Sequence, residues 1–201
     1  MGALFALTMA LASAQPGGGS GPKTPTNLFS QEQPIRATIR GPISAVVSTP
    51  EPSRAARPAV LELAAPSAES HAILLSPRGL TRRKKETCTF PPLRVEFTGK
   101  PAKTSLFDRQ KRLKLVTHCR NAPGHQQHVL LEYAAYKMLN VLTPTGLRAR
   151  LGTFDYADTG GRVIAGRIGF FTEDPDDAAG RNGLKEVGTA GRIAVTQVHP
   201  A

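Results

Sequence analysis

The chain has 201 residues, of which 40% are hydrophobic, and its 26 lysines and arginines against 15 acidic residues give a formal net charge of +11. This length allows one domain, alone or behind a disordered leader, and it excludes a second large domain. The 17 prolines, the 19 glycines and the absence of tryptophan indicate that much of the chain lies outside a hydrophobic core.

The first 14 residues have the features of a secretory signal peptide. Residues 4–12 form a short apolar run, and Ala12-Ser13-Ala14 matches an A-x-A cleavage site ahead of Gln15. The run is too short to cross a bilayer as a helix. No lysine or arginine precedes Lys23, so either the N-terminal amine supplies the basic charge or translation starts upstream. A merely apolar tail is the alternative, and we expect export to the periplasm or secretion.

After this signal, the predicted elements follow the order β–β–β–turn–β–β–α–β–β. Residues 15–33 are predicted to form a Gly/Pro-rich linker, and residues 34–201 the domain. Strands are predicted at 34–40 with an extension at 43–47, and at 59–63, 72–76, 93–97, 112–118, 147–156 and 162–172. We expect a hairpin turn at 158–161, an acidic loop at 173–177 and a further element after residue 186.

One long helix is predicted to begin near His125, after Pro123-Gly124, and to end at Thr143-Pro144. Seven of its apolar residues fall within about 140° of one another on a helical wheel, and we expect this stripe to face the core. The stripe consists of Leu130, Leu131, Ala134, Ala135, Met138, Val141 and Leu142. Glu132 lies just beyond one edge of it. One helix packed on an antiparallel sheet gives an α+β fold class.

The two cysteines, Cys88 and Cys119, each lie beside a predicted strand. In an oxidising compartment an even number of cysteines indicates a disulfide. The bridge would close a loop of about 30 residues and stabilise the fold by roughly 3 kcal/mol. Two independent free thiols are the alternative.

The positive charge is concentrated in the middle of the chain. Residues 73–150 hold 16 lysines and arginines and four acidic residues, a net charge of +12, with the densest runs at 82–85 and 109–114. A face of this kind attracts phosphates, nucleotides or anionic polymers. The alternative is a solvated face that only confers solubility.

Other chemistries have weaker support. His118, Cys119, His125 and His128 lie within eleven positions, but their spacing matches no tetrahedral zinc pattern, and we predict no metal site. Nucleic-acid binding fits the basic segment, but the secretion signal and the scarcity of aromatic residues among the basic ones argue against it. The sequence has no G-x-S-x-G motif that would indicate a hydrolase.

Four runs of sequence resemble the N-terminal half of the CotH-like kinase family of exported bacterial proteins. They are FPPLRVEF at 90–97, RLKL at 112–115, LLEYAAY at 130–136 and GFFTED at 169–174. Arg78-Gly79 and Ala135-Tyr136 also stand at points of the family pattern. The resemblance is one of order and spacing, and it covers residues 70–185.

The resemblance implies an atypical kinase fold in which this chain forms the smaller lobe. Glu132 would be the helix glutamate, and its basic partner would be Lys114 by the usual kinase spacing or Arg94 by the family register. Arg78 and Gly79 would occupy the turn near the nucleotide phosphates. These five residues are the predicted cofactor-binding site.

The same resemblance implies that catalysis needs more than this chain. The catalytic aspartate and the metal-holding residues of kinases lie on the larger lobe, and the sequence after Leu184 is too short to supply it. We therefore expect a fragment with a missing C-terminal lobe and no activity by itself, and ATP and Mg²⁺ as cofactors only of a full-length protein. The expected ligand is a nucleotide phosphate or an envelope polymer, without nucleic acid and without a transmembrane span. The alternative is a non-enzymatic basic module that binds the cell envelope or a polymer.

Overall fold

Seven strands close into a barrel in the computed structural model, which describes residues 24–66 and 68–185. The strands are β1 (Ile35–Gly41), β2 (Arg57–Leu63), β3 (Glu69–Pro77), β4 (Leu93–Phe97), β5 (Arg112–Val116), β6 (Ala149–Asp158) and β7 (Val163–Thr172). Their order around the barrel is β1-β2-β3-β4-β5-β7-β6. The parallel pairing of β1 with β6 closes the ring, and the other neighbouring strands are antiparallel.

Three α-helices accompany the barrel in the described residues: α1 (Ile43–Val47), α2 (Pro123–Leu142) and α3 (Pro175–Arg181). Helix α2 starts on a proline, whose fixed φ and missing N–H suit the first turn of a helix. Helix α3 starts after Asp174, whose carboxylate accepts a hydrogen bond from the backbone N–H of Asp176. Short 3₁₀ turns lie at Asn27–Phe29 and Thr81–Arg83. Within these described residues, no helix combines the length and the hydropathy that a bilayer crossing requires.

Alternating burial along the strands separates the barrel interior from its outer surface. The inward-facing residues of β4 and β5 are all apolar and belong to the main core. They are Leu93, Val95, Phe97, Leu113 and Leu115. Because successive side chains of a strand point to opposite faces, Arg94 and Lys114 lie on the outer surface. The two are direct neighbours across the β4–β5 pair.

Two paired glycines make room for an aromatic ring in the barrel. Gly152 on β6 lies opposite Gly169 on β7, and a Cβ atom on either would approach the Phe154 ring to 3.0 Å. A Cβ atom on Gly169 would also lie 2.7 Å from the carbonyl oxygen of Val116, which is backbone and cannot rotate away. The ring of Phe154 packs edge-on against Phe171 with centroids 5.2 Å apart. Glycine at both positions therefore lets a large side chain fill the interior.

The closed barrel shows that the predicted α+β class, an antiparallel sheet packed on one long helix like a kinase small lobe, is wrong. The pairing that closes the ring joins β1 to β6, which lie far apart in sequence. Alternation within a strand indicates its buried face but gives no information about the partner of an edge strand. The predicted strand extension at 43–47 is wrong too, because this segment forms α1 and buries Ile43 and Val46.

Helix α2 packs on the outside of the barrel through a different face from the predicted one. Val129 is buried, and the rings of Tyr133 and Tyr136 lie beside it, each 5.7 Å from the Phe170 ring of β7. Much of the predicted core stripe is instead exposed to solvent. The most exposed of its residues are Leu131 (68%), Met138 (69%), Val141 (86%) and Leu142 (81%). The prediction was wrong because the tyrosines, with apolar rings and polar tips, supply the packing face.

Cys88 and Cys119 form a disulfide, as predicted, with their Cα atoms 4.7 Å apart. The bond joins the segment before β4 to the segment after β5. Next to it, the backbone N–H of Phe90 donates to the carbonyl of Cys119 at 2.9 Å. The disulfide therefore lies at the end of the barrel where β4 begins and β5 ends.

The N-terminal part of the described chain contributes to the core. Leu28 and Phe29 are buried, and the Arg150 guanidinium donates to the carbonyl oxygen of Leu28 at 3.1 Å. The packed fold thus includes residues ahead of position 34. The predicted signal peptide at 1–14, residues 15–23 of the predicted linker and the predicted element after residue 186 lie outside the described residues.

Candidate anion-binding cleft

A cleft of about 440 Å³ lies between α2 and the outer surface of the barrel. Its size is within the range of small-molecule sites, about 300–1,000 Å³. The polar residues that line it are Arg78, Thr81, Arg82, Lys114, Glu132, Tyr136 and Thr172. Its remaining walls come from Gly79, Leu80, Pro92, Val116 and Leu147. The cleft therefore combines a cationic part with an apolar part.

Four of the five residues predicted from the sequence line this cleft. Arg78 and Gly79 come from the loop between β3 and β4, Lys114 from β5 and Glu132 from α2. Lys114 can reach the cleft because its neighbours on β5 point into the barrel, which leaves its own side chain on the face that α2 covers. Arg94 is not among the lining residues, although it lies opposite Lys114 on the adjacent strand.

Glu132 forms an ion pair with Arg82, whose Nη2 lies 2.8 Å from Oε2 of the glutamate. The side chains of the pair are 45% and 30% exposed, so the pair lies at the mouth of the cleft. Sequence reasoning considered only Lys114 and Arg94 as partners of Glu132. Arg82 stood in the basic run at 82–85, only three residues after the Arg78-Gly79 turn, and this proximity was the signal that could have identified it.

Arg78 lies half-buried among other cations. Burial lowers the pKa of its guanidinium, and the positive charges of Arg94 and Arg82 lower it further, while Tyr136 and Asp174 act in the opposite direction. An arginine remains protonated even so. The site thus holds positive charges that repel one another, and a bound anion would relieve this repulsion.

Tyr136 contributes a hydroxyl group to the same cleft. Burial raises its pKa and so does the negative charge of Glu132, while Arg78 and Arg82 act in the opposite direction. The phenol therefore keeps its proton at neutral pH and can donate a hydrogen bond to a ligand oxygen. Its ring also packs on Phe170, which fixes the position of the hydroxyl relative to the barrel.

Gly79 gives the cleft loop its turn. Its φ of +95° lies in the left-handed region, which L side chains rarely adopt. A Cβ atom there would meet nothing closer than the Cβ atom of Arg82 at 3.9 Å. The backbone conformation, and not a lack of space, therefore requires glycine beside Arg78.

The residues considered for zinc lie in other environments. His118 is 1% exposed and packs against Phe90 in a tilted arrangement, with ring centroids 4.6 Å apart. Burial lowers its pKa to about 4, helped by Arg167 and opposed by a hydrogen bond with Asn121. Cys119 has no free thiolate because it is bonded to Cys88. Over residues 24–66 and 68–185, no three His, Cys, Asp or Glu residues are grouped so that they could hold a metal ion.

The acidic segment after β7 is occupied by internal ion pairs. Arg112 binds Asp174 at 3.3 Å and Asp176 at 2.8 Å. Glu173 and Arg181 form a buried pair at 2.9 Å, which fixes the start and the end of α3. These carboxylates therefore serve the packing of α3 against the barrel.

In comparisons with known proteins, neither a protein-family model nor a curated protein matches this chain. The resemblance to the CotH-like kinase family therefore stays a prediction.

Proposed function

We propose that the cleft between α2 and the barrel binds the phosphate groups of an anionic ligand. The observation that carries this proposal is the convergence of Arg78, Arg82 and Lys114 on one cavity. Among the described residues that line it, Glu132 is the acidic one, and Arg82 already binds it. The cavity is lined by the guanidinium groups of Arg78 and Arg82, the ammonium group of Lys114 and the hydroxyl group of Tyr136. Charge-assisted hydrogen bonds are the strongest contacts that such groups make with an anion.

A nucleotide is the ligand class that we favour. In kinases a strand lysine and a glutamate on the next helix position the nucleotide phosphates, and here Lys114 and Glu132 line one cleft. The apolar walls formed by Leu80, Val116 and Leu147 offer a surface for a base or a sugar. We propose binding without catalysis, with ATP and Mg²⁺ engaged in chemistry only within a larger protein.

A non-enzymatic module for an anionic envelope polymer is the second candidate. Its support is the set of exposed basic residues outside the cleft, which includes Lys84, Lys85, Arg109 and Lys111. An extended polyanion would contact many such charges, and its affinity would rise with polymer length. Export to the periplasm or secretion is part of both proposals, and the disulfide supports it, because disulfides persist in oxidising compartments.

Isothermal titration calorimetry with ATP and with pyrophosphate tests the site. Lys114→Ala and Arg78→Ala should each raise the Kd about tenfold or more, since a hydrogen bond to a charged group contributes about 1.5–3 kcal/mol. Lys100→Ala is the matched control, because it removes the same charge from an exposed residue that does not line the cleft. An equal loss of affinity in Lys114→Ala and Lys100→Ala would show that the whole basic surface binds the anion and that the cleft has no special role.

A phosphotransfer assay tests the absence of catalysis. Residues 15–201 are expected to transfer no phosphate from ATP in the presence of Mg²⁺, either to themselves or to generic protein substrates. Magnesium-dependent phosphorylation by this chain alone would show that its catalytic residues have been misplaced.

A further inference from the structure

Two chain segments bring the cationic and acidic residues to the cleft, and these two segments are joined to each other at one point. The cleft loop (residues 78–92) joins β3 to β4 and carries Arg78 and Arg82. The connector (residues 117–122) joins β5 to α2 and so links Lys114 to Glu132. The Cys88–Cys119 disulfide is the covalent bond between the cleft loop and the connector.

Hydrogen bonds reinforce this junction. On the connector, Arg120 donates from Nε to the carbonyl of Thr87 at 3.0 Å and from Nη2 to the carbonyls of Lys85 and Glu86. These three acceptors are consecutive residues of the cleft loop, between Arg82 and Cys88. The Arg120 side chain thus lies along the loop beside the disulfide.

The backbone at Cys119 depends on these restraints. Its φ of +60° is in the left-handed region, where a residue with a side chain is unfavourable unless its surroundings hold it. The disulfide holds the side chain, and the hydrogen bond from the Phe90 N–H holds the carbonyl at 2.9 Å. When the S–S bond is broken, the connector loses its covalent restraint, and we expect the backbone at Cys119 to move to a more favourable φ.

We infer that the Cys88–Cys119 disulfide is a redox clamp that positions Arg78 and Arg82 for anion binding, so that the cleft reaches full affinity only after oxidation. This inference rests on the proposed function of the cleft. It gives the disulfide a regulatory role, because a chain in a reducing compartment would hold a weakened site and a chain in an oxidising compartment a complete one.

The redox step is a thiol–disulfide exchange. A dithiol reductant transfers two electrons and two protons, the S–S bond breaks, two cysteine thiols form, and the reductant becomes a disulfide. The barrel should survive this step, because its core lies inside the closed sheet and the two cysteines join loops. The remaining contacts, those of Arg120 and of Arg83 with the carbonyls of Thr49 and Pro50, should keep the cleft loop near its place but with more freedom.

Pyrophosphate titration and amide hydrogen exchange together test the clamp. The full chain is compared oxidised, reduced with dithiothreitol, and reoxidised, with the Cys88→Ser/Cys119→Ser variant as a permanent form of the reduced state. We expect reduction to weaken pyrophosphate binding about tenfold, or 1.4 kcal/mol, and reoxidation to restore it. Exchange should accelerate in residues 78–90 and in the connector, while the amides of β2 and β6 stay protected.

Arg120→Ala supplies a variant that keeps both cysteines. In the oxidised state it should weaken pyrophosphate binding and accelerate exchange at 85–87, because the second half of the clamp is lost. If the double serine variant fails to fold, Arg120→Ala still allows the clamp to be tested. Reduction of Arg120→Ala should weaken pyrophosphate binding further and accelerate exchange at 78–90. Equal affinity and equal exchange in the oxidised and reduced forms of this variant would overturn the inference.

The two readouts separate this inference from the proposed function. If the oxidised chain does not bind pyrophosphate at all, the proposed function fails, and exchange alone judges the clamp. Faster exchange of residues 78–90 on reduction would then still support it. Equal exchange in the oxidised and reduced chains would overturn it, and so would equal pyrophosphate affinity of the two states in a chain that binds pyrophosphate.

Discussion

The interior of the barrel and the outer face of α2 are both rich in leucine, valine and alanine, yet their environments are opposite. Inside the barrel, Leu113 and Leu115 are fully buried. On α2, Leu131, Val141 and Leu142 remain largely in contact with water. The helix is held by a second, less apolar face made of Val129 and two tyrosines.

Apolar periodicity therefore identifies the apolar face of a helix or strand, but it does not show what that face packs against. The stripe on α2 has the spacing of a core-facing helix, but the barrel interior is filled by the strands, by α1 and by loop residues such as Phe107. Large exposed apolar patches on soluble proteins mark sites of interaction or of aggregation. Direct measurements of stability can separate the two surfaces.

The largest contrast is expected between two leucine truncations. Leu115→Ala should lower the free energy of unfolding by about 2–5 kcal/mol, because it leaves a cavity in a closed barrel. Leu131→Ala should change it by less than about 0.5 kcal/mol, because the side chain is 68% exposed. Urea denaturation of both variants measures the difference. Similar losses would mean that the exposed face of α2 is buried in solution.

The free energy of unfolding should depend on pH because the imidazole of His118 is buried in the barrel. The pKa of His118 is about 4 in the folded chain against 6.5 for the unperturbed side chain, so the unfolded state binds the proton more readily. The contribution of His118 to the free energy of unfolding is fully present above pH 6.5. It decreases by on the order of 3 kcal/mol as the pH falls toward 4.

The His118→Phe variant is the control for this pH dependence, since phenylalanine keeps a ring beside Phe90 but cannot titrate. Between pH 6.5 and 4 its stability should decrease less than that of the parent chain, and the difference between the two curves isolates the histidine from the carboxylates. Parallel curves in thermal unfolding would contradict the burial of a neutral imidazole.

A smaller effect is expected from two glycines on the surface. Gly79→Ala should destabilise the cleft loop by about 1–3 kcal/mol, because alanine is strained at the positive φ that this turn needs. Gly99→Ala is the matched control, since its added Cβ meets nothing within 4 Å. Circular dichroism during thermal unfolding gives both values, and equal Tm shifts would show that the turn geometry is wrong.

The smallest effect should come from the ion pair at the edge of α2. Arg82 and Glu132 are 45% and 30% exposed, and such pairs contribute about 0–1 kcal/mol in water. Glu132→Gln should therefore change stability by less than about 1 kcal/mol and should leave Arg82 free to contact an anion. A loss comparable with that of Leu115→Ala would place this pair in the packing of the fold.

Local patterns predicted most of the elements but not their closure. The β4 strand occurs at the predicted residues, and the hydrophobic alternation in β1 and β5 correctly indicated strands. Alternation of this kind depends only on the two faces of the strand itself. The barrel depends on the contact of β1 with β6, and the α1 helix replaces a predicted strand extension. Neither follows from short-range periodicity, because long-range contacts decide both.

The sequence also indicated which residues lie near one another at the candidate site, while cofactor binding by these residues stays a prediction. Lys114 and Glu132 were selected by their strand–helix order and Arg78 and Gly79 by the family resemblance, and the fold places all four around one cleft. The ion pair between Glu132 and Arg82 was missed, because the cleft loop folds back toward α2 in a way that the spacing does not reveal. Tyr136 was assigned to a family pattern, and its role as a packing and lining residue emerges only from the position of α2.

The central claim is that the cationic residues of the cleft form one defined anion site, and chemical-shift mapping tests it most directly. Pyrophosphate titrated into isotope-labelled, oxidised protein should shift the amide resonances of Gly79, Lys114 and Tyr136 together, with one common saturation curve. The amides of Lys100 and Lys103, which are exposed and lie outside the cleft, should not move. Small shifts spread evenly over the basic surface, without saturation at the cleft, would contradict the account.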